Sequence, residues 1–340
     1  MKRIGNLYEK IISIENLKLA DEKARKGKKN TYGVKIHDKN REQNILALHE
    51  ALFTGTYRTS EYEVFTIHEP KEREIYRLPY YPDRIVHHAI MNVLEPIWVK
   101  TFTYNTYSCV KNRGIDACMR RVDKIISKYD GRPLYCLKID IRKFYPSLKH
   151  DVMKQIVRRK IKDKRLLALL DEIIDSTDGL PIGNYLSQYL SNLTMCYFMH
   201  YVNEVLKLDC TEYADDIVFF ADNKELLHKA FHEHIKPYIE NVLQLKVKDN
   251  WQVFPIAVNR YDTAGRALDY VGFKFYRGQK LMRKSIKQNL CREAAKLNKK
   301  RMSVKTYKQS IAPWLGWAKH CNSRHLLKKI LRKNCFENIV

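Results

Sequence analysis

Long hydrophobic runs are missing from this chain. No stretch of its 340 residues approaches the ~18 consecutive apolar residues that a membrane-spanning helix needs. The opening Met1-Lys2-Arg3-Ile4-Gly5 runs into charged sequence with no apolar signal segment. Neither membrane insertion nor export is expected, and the cytoplasm is. Paired cysteines are missing too. The eight cysteines (Cys109, Cys118, Cys136, Cys196, Cys210, Cys291, Cys321, Cys335) are scattered without a CxxC pair, which argues against a zinc ribbon or a disulfide framework and for reduced thiols. No internal repeat or low-complexity linker appears, so one multi-lobed chain is expected rather than a string of modules. Acids are scarce: 38 Asp and Glu face 63 Lys and Arg, leaving +25 and a pI near 9.6. A hydrophobic content of 45% is enough for a core, which excludes a disordered basic tail. A folded protein this positive needs a polyanion to relieve its self-repulsion, either nucleic acid or an anionic surface.

The charge is uneven. From Lys280 to Val340 there are 17 Lys and Arg and only Glu293 and Glu337 as acids, a net +15. Gln288, Leu290, Cys291, Ala294, Ala295 and Leu297, then Ile311 to Leu331, suggest helices there. Like charges at i,i+4 repel unless an anion lies between them, so this segment is expected to track phosphates. A second basic patch, Lys23, Arg25, Lys26, Lys28 and Lys29 with Gly27, Asn30 and Gly33, suggests a loop. A solvated loop and an RNA contact both remain open for it.

Two places carry chemistry. Tyr213-Ala214-Asp215-Asp216 precedes Ile217-Val218-Phe219-Phe220, a β-branched and aromatic run, so a hairpin is expected with the Asp pair at its turn. Leu134 to Ile141 is an apolar strand that ends near Asp140. A carboxylate on a buried strand is costly unless it is paired or metal-bound. Three carboxylates brought together would raise one another's pKa, and hard divalent cations would let all three ionise.

At these residues the chain resembles a reverse transcriptase, over roughly Lys71 to Gly316. Ile75–Ala89, with Asp83 and Arg84, resembles the fingers block. Tyr104–Ala117, with Ser108, Arg113 and Gly114, resembles the next. Asp140–Ser147, Gly179–Gln188, the YADD hairpin, Leu245–Trp251 and Leu268–Phe273 follow in family order, the last resembling a primer-grip hairpin. The closing segment with Trp314, Gly316 and Trp317 resembles the thumb. The resemblance implies an α+β right-hand polymerase fold: fingers, a palm with an antiparallel sheet, and a helical thumb. Residues 1–130 would be N-terminal extension and fingers. Residues 131–276 would be palm, with a fingers insertion at about 150–178 that includes a helical Asp151–Asp175, and 277–340 would be thumb. RNA-directed DNA synthesis by a two-metal mechanism is implied, with two Mg2+ ions for which Mn2+ can substitute. Asp140, Asp215 and Asp216 would be catalytic, and Asp140, Asp215 and the Ile141 carbonyl would ligate metal. Tyr145 would be the steric gate against a ribose 2′-OH, with a core aromatic beside Phe144 as its plain alternative. Arg73, in a K-x-R position after Lys71, and Arg77 would meet the nucleotide, as would Ile182, Gly183 and Gln188. Lys248 would stand near the pyrophosphate as a general acid, with Lys246 competing for the role. Asp269 is expected to be structural.

One departure narrows the family. Intron and retron enzymes usually have Q-G-x-x-x-S-P where this chain has Ile182-Gly183-Asn184-Tyr185-Leu186-Ser187-Gln188. The pattern here resembles the enzymes of diversity-generating retroelements. Ile182 lacks the polar group with which Gln would hold the nucleotide, and losing ~1–3 kcal/mol of discrimination makes errors frequent. Ile182 is therefore expected to lower fidelity, with adenine-biased errors implied by the resemblance; simple packing of Ile182 is the alternative. The resemblance also implies dNTPs, a primer, an RNA/DNA hybrid, a dedicated template RNA, and a small, basic, pentameric accessory variability protein. With Val340 last, no RNase H or endonuclease module is expected. A retron-type or defence-type enzyme and a catalytically dead RNA-binding relic remain as alternatives.

Overall fold

The structure is a computed structural model that describes residues 3–68 and 72–331. No helix among them is long and apolar enough to cross a membrane. The chain forms two compact units. One holds the described residues up to Lys111 with Asp140–Lys207 and His232–Asp249; the other holds Asn112–Ile139, Leu208–Phe231 and the described residues from Asn250 onward.

In the first unit, helix Ile85–Val99 is apolar around most of its circumference and is correspondingly buried, through Ile85, Val86, Ala89, Ile90, Leu94 and Trp98. It packs against helix Ile14–Ala24, which contributes Leu17 and Ala20. Asp21 on that helix is fully buried. Burial alone would raise its pKa, but hydrogen bonds from His37, Tyr80, Arg25 and Arg41 outweigh it and hold the carboxyl far below its usual range. These bonds tie together helices Ile14–Ala24, Tyr32–Lys39 and Arg41–Thr54. The basic patch expected as a loop is therefore partly built in: Lys23 ends a helix, Gly33 lies inside one, and Arg25 is held by Asp21 and Asp38.

Strands β1 (Glu63–Ile67) and β2 (Arg73–Arg77) form an antiparallel pair with Glu63 opposite Arg77. The helical stretch expected over Asp151–Asp175 is two helices, His150–Lys160 and Lys164–Asp175. The break has a local cause. Asp163 caps the second helix through the Leu166 N–H and also accepts from the Leu7 and Tyr8 N–H groups, while Ile161 bridges to Ile4.

The second unit is built on a four-stranded sheet, of order β4-β5-β3-β6, from β3 (Tyr135–Asp140), β4 (Asp209–Tyr213), β5 (Asp216–Ala221) and β6 (Gln252–Pro255). β4 pairs antiparallel with β5, and β3 with β6. Helix Ile115–Lys128 lies against β4 and buries Cys118, Met119, Val122, Ile125 and Ile126, a helical spacing on one face. A second antiparallel sheet follows: β7 (Leu268–Tyr270), β8 (Phe273–Phe275) and β9 (Lys280–Met282). Val271 and Gly272 close its first turn at φ 41° and 89°. A Cβ on Gly272 would sit 2.5 Å from the Trp317 ring, so only glycine fits there.

The basic C-terminal segment has its first helix around Gln288–Leu297, where the sequence predicts one. Its first residues form β9, and the expected unit Ile311–Leu331 spans two helices. Helices Lys284–Asn298, Val304–Ala318 and Arg324–Ile330 share a core of Leu290, Ala294, Leu297, Tyr307, Ile311 and Leu327. Arg332, Lys333, Glu337 and the cysteine at 335 lie outside the described residues.

Candidate active site

The turn between β4 and β5 is two residues long, with Tyr213 opposite Asp216. Ala214 takes a left-handed φ of 57° there, a conformation of roughly 1 kcal/mol or more that an L residue adopts only when its surroundings impose it. What imposes it is β5, whose Ile217, Val218, Phe219 and Phe220 are all fully buried. With the strand pinned, Asp215 and Asp216 are presented half-buried at its mouth. β5 lies beside β3 in the sheet; β3 ends in Asp140, and β5 begins with Asp216.

Asp216 is tied down within its own unit. Lys138 Nζ donates to Asp216 Oδ2 at 3.2 Å and to the Asp269 carbonyl at 2.6 Å. Tyr270 Oη donates to the Asp216 carbonyl at 3.2 Å, and burial first, then Cys118 and Asp216, raises the Tyr270 phenol so that it stays a donor. Arg283 Nε completes the set at Asp269 Oδ1, 2.6 Å away. The β7–β8 hairpin is thereby bolted to the Asp turn. Lys138 was missed in the sequence. Its one local signal was its place two residues before Asp140 on an otherwise apolar strand.

Asp140 is built differently. Segment 246–248 pairs with 140–142: Arg142 N donates to Lys246 O at 2.8 Å and Lys248 N to Asp140 O at 2.9 Å, with Val247 opposite Ile141. Leu245 and Val247 are buried, so alternation puts Lys246 and Lys248 together on the other face, Lys246 exposed and Lys248 half-buried. Its ammonium lies 2.5 Å from Asp140 Oδ1, an atom that is buried and has no well-aligned hydrogen bond. The pairing takes up the Asp140 carbonyl, while the Ile141 carbonyl has no part in it.

The block around Ile182 is held from both sides. Leu180 N donates to Tyr145 O at 2.9 Å, and Tyr76 N donates to Ile182 O at 2.8 Å. Gly183 has φ 126°, and a Cβ on it would lie 2.5 Å from Tyr76 O, so glycine lets β2 approach. Ile182 is half-buried and Gln188 is exposed on helix Tyr185–His200. Tyr145 is half-buried, edge-on to Phe144 at 5.5 Å. Arg77 bonds Glu63 through Nε at 2.9 Å, whereas Arg73, at the start of β2, is exposed. Lys71 lies outside the described residues. Asn192 Nδ2 reaches the Ser108 carbonyl at 2.7 Å and buries that block against the same helix.

Residues 69–273, more than half the chain, match the model of the family described as reverse transcriptase (RNA-dependent DNA polymerase). The chain belongs to the reverse transcriptase family. Protein YkfC of Escherichia coli (strain K12) is 27% identical over 139 residues, 37% of this chain and 36% of that protein. The mitochondrial nuclear intron maturase 4 of Arabidopsis thaliana is 22% identical over 179 residues, 49% of this chain and 22% of that one. This reverse transcriptase chain thus matches about a third or less of each relative's length. The structure of apo telomerase from Candida tropicalis superposes with a TM-score of 0.50 at 12% identity, covering 83% of this chain and 61% of that one. That likeness is one of fold, the mixed α+β fold of right-hand polymerases.

A family of this kind implies a divalent metal. Among the described residues no three His, Cys, Asp or Glu side chains gather closely enough to hold an ion alone. Asp140 and Asp216 instead each face a lysine ammonium. All-oxygen donors that already attract cations fit a hard ion that brings water and phosphate oxygens as its remaining ligands.

Proposed function

We propose that this chain is an RNA-directed DNA polymerase, with Asp140, Asp215 and Asp216 as its acidic centre. The observation that carries this is the two-residue turn presenting Asp215 and Asp216 on a buried strand, next in the sheet to the strand that ends in Asp140. Lys138, on the strand that leads to Asp140, donates to Asp216 and holds that carboxylate in place. Asp140 and Asp215 would hold two Mg2+ ions, aided by the Ile141 carbonyl; when bound, the metal would supply Lewis-acid stabilisation of the phosphoryl oxygens. Lys248 would carry the proton for the pyrophosphate, from the place it now occupies against Asp140. Tyr145 would exclude a 2′-OH. Arg73 would meet the triphosphate, and Arg77 would do so on leaving Glu63, an exposed pair that solvent screens and holds only weakly. Template RNA, primer and dNTPs are the proposed substrates.

Within that activity we place the chain with the enzymes of diversity-generating retroelements, making adenine-mutagenised cDNA with an accessory variability protein. Ile182-Gly183 followed by Ser187-Gln188 supports this, as does an Ile182 that is not sealed in the core. A retron-type or defence-type enzyme is the second reading. The first test is primer extension on RNA with dNTPs. Asp215→Ala should lose more than about 100-fold in rate while the protein stays folded; equal rates would refute the centre. Sequencing the product then separates the two readings. Ile182→Gln should lower misincorporation opposite adenine, and an unchanged error spectrum would remove Ile182 as the cause.

A further inference from the structure

Loop 176–184 carries Ile182 and Gly183, and it rests on a glycine. Gly179 is buried at φ 67°, and a Cβ on it would run into the Pro146 carbonyl. The left-handed φ and that close approach admit glycine alone. One residue on, Leu180 N donates to Tyr145 O at 2.9 Å. The loop is thus laid on the Tyr145–Pro146 backbone, and the spacing between Tyr145 and Ile182 follows from how firmly it is held there. Tyr62 joins the ends of the loop: its Oη lies 2.9 Å from Ser176 Oγ and accepts from Asn184 Nδ2 at 2.8 Å.

The middle of the loop is held by a residue outside the site described above. His150 Nε2 lies 3.3 Å from the Gly179 carbonyl oxygen, and no other donor reaches that oxygen among the described residues. A buried carbonyl without a donor is costly, so the ring matters to the loop. His150 Nδ1 lies 3.1 Å from Asp175 Oδ1, at the end of helix Lys164–Asp175, where the loop begins. Lys154, one turn further along helix His150–Lys160, holds the other oxygen of Asp175 at 2.5 Å. Both neighbours of the ring are acceptors, a carboxylate and a carbonyl. An imidazole with one N–H satisfies one of them, and with two it satisfies both. Fastening the helix end needs the bond to Asp175 alone, and Lys154 already shares that task. The bond to Gly179 serves the loop.

We propose that His150 is a positioning residue for sugar selection. By holding Gly179 down on Pro146 it sets the gap between Tyr145 and Ile182 in which the sugar of the incoming nucleotide lies. It touches no substrate and acts through the Gly179 carbonyl. The proposal rests on the polymerase reading, with Tyr145 as its steric gate. Amide side chains separate the two bonds, because the nitrogen of Gln stands in for Nε2 and that of Asn for Nδ1. The test is single-nucleotide primer extension on RNA by the full chain, with kcat and KM measured for a dNTP and the matching rNTP, and Tm measured for every variant. His150→Asn and His150→Leu should lower the dNTP-to-rNTP ratio of kcat/KM about tenfold, mainly through the KM for dNTP. His150→Gln should keep the ratio within about twofold of the parent, and Asp175→Asn should lower Tm with the ratio unchanged. An unchanged ratio in His150→Asn and His150→Leu would overturn the proposal. So would a Gln variant as impaired as Asn, or a ratio that merely follows Tm across the set, which would mark a structural role. Tyr145→Ala is measured beside them. If it collapses the ratio while the His150 variants do not, this inference fails and the gate stands. If it leaves the ratio unchanged, or if the chain extends no primer, the underlying reading fails and this inference with it.

Discussion

Lys248 and Lys138 each neutralise a carboxylate, and they are held in different ways. Lys248 reaches Asp140 from a short backbone pairing, and that carboxylate is its one ion-pair partner among the described residues. Lys138 divides its ammonium between Asp216 and the Asp269 carbonyl, so it joins two hairpins. An ammonium with one partner can turn to a new anion and give up a proton. An ammonium with two fixed acceptors is a tie. The same residue type is thus suited to chemistry in one place and to positioning in the other.

The comparison is most easily broken at the acids. Asp140→Ala should abolish primer extension by more than about 100-fold, and Asp216→Ala, already neutralised by a tie, should cost clearly less. Equal losses would remove the asymmetry. Next, Lys248→Met should reduce kcat by about 100-fold with the primer KM little changed and should flatten the pH–rate profile. Lys138→Met should do the reverse, raising the primer KM about tenfold and lowering Tm, because it loosens the β7–β8 hairpin. A Lys138 variant that alters only kcat would reassign it to the chemistry. Gly272→Ala sharpens the same point. With φ at 89° and Trp317 in the way, it should cost about 2–3 kcal/mol in denaturant unfolding. The smallest effect concerns pH. His87 and His88 are held down at about 3 and about 4, mainly by burial. Below about pH 6.5 the unfolded chain takes up protons that the fold refuses, so stability should fall as pH drops from about 6.5 toward 4. Asp21, whose pKa is also lowered, adds to the same loss, but only where the unfolded carboxyl titrates, near pH 4 and below. Hydrogen exchange in helix Ile85–Val99 should record that loss first.

Local pattern was enough for the strand of Asp140 and the hairpin of Asp215 and Asp216. Leu134–Ile141 became β3 almost residue for residue, because buried β-branched runs have few alternatives. Reading failed where one residue overrode a pattern. Asp163 split a helix by capping it, and Lys280–Met282 joined a sheet through Phe273–Phe275, a partner that a helix-period reading ignores. The basic patch at Lys23–Lys29 looked uniform in sequence, yet one of its members is held half-buried in an ion-pair network and another lines a groove.

The sequence by itself determined the family, the two acidic elements and the excess of positive charge, because these depend on residue type and on spacing along the chain. The tertiary structure decided which lysine meets which carboxylate, that Lys248 and not Lys246 stands at Asp140, and which cations go without a partner. Those outcomes depend on pairing between residues far apart in the chain, such as 140 with 248 and 138 with 216 and 269. A charge is satisfied or left waiting by what packs against it, and no local pattern specifies that.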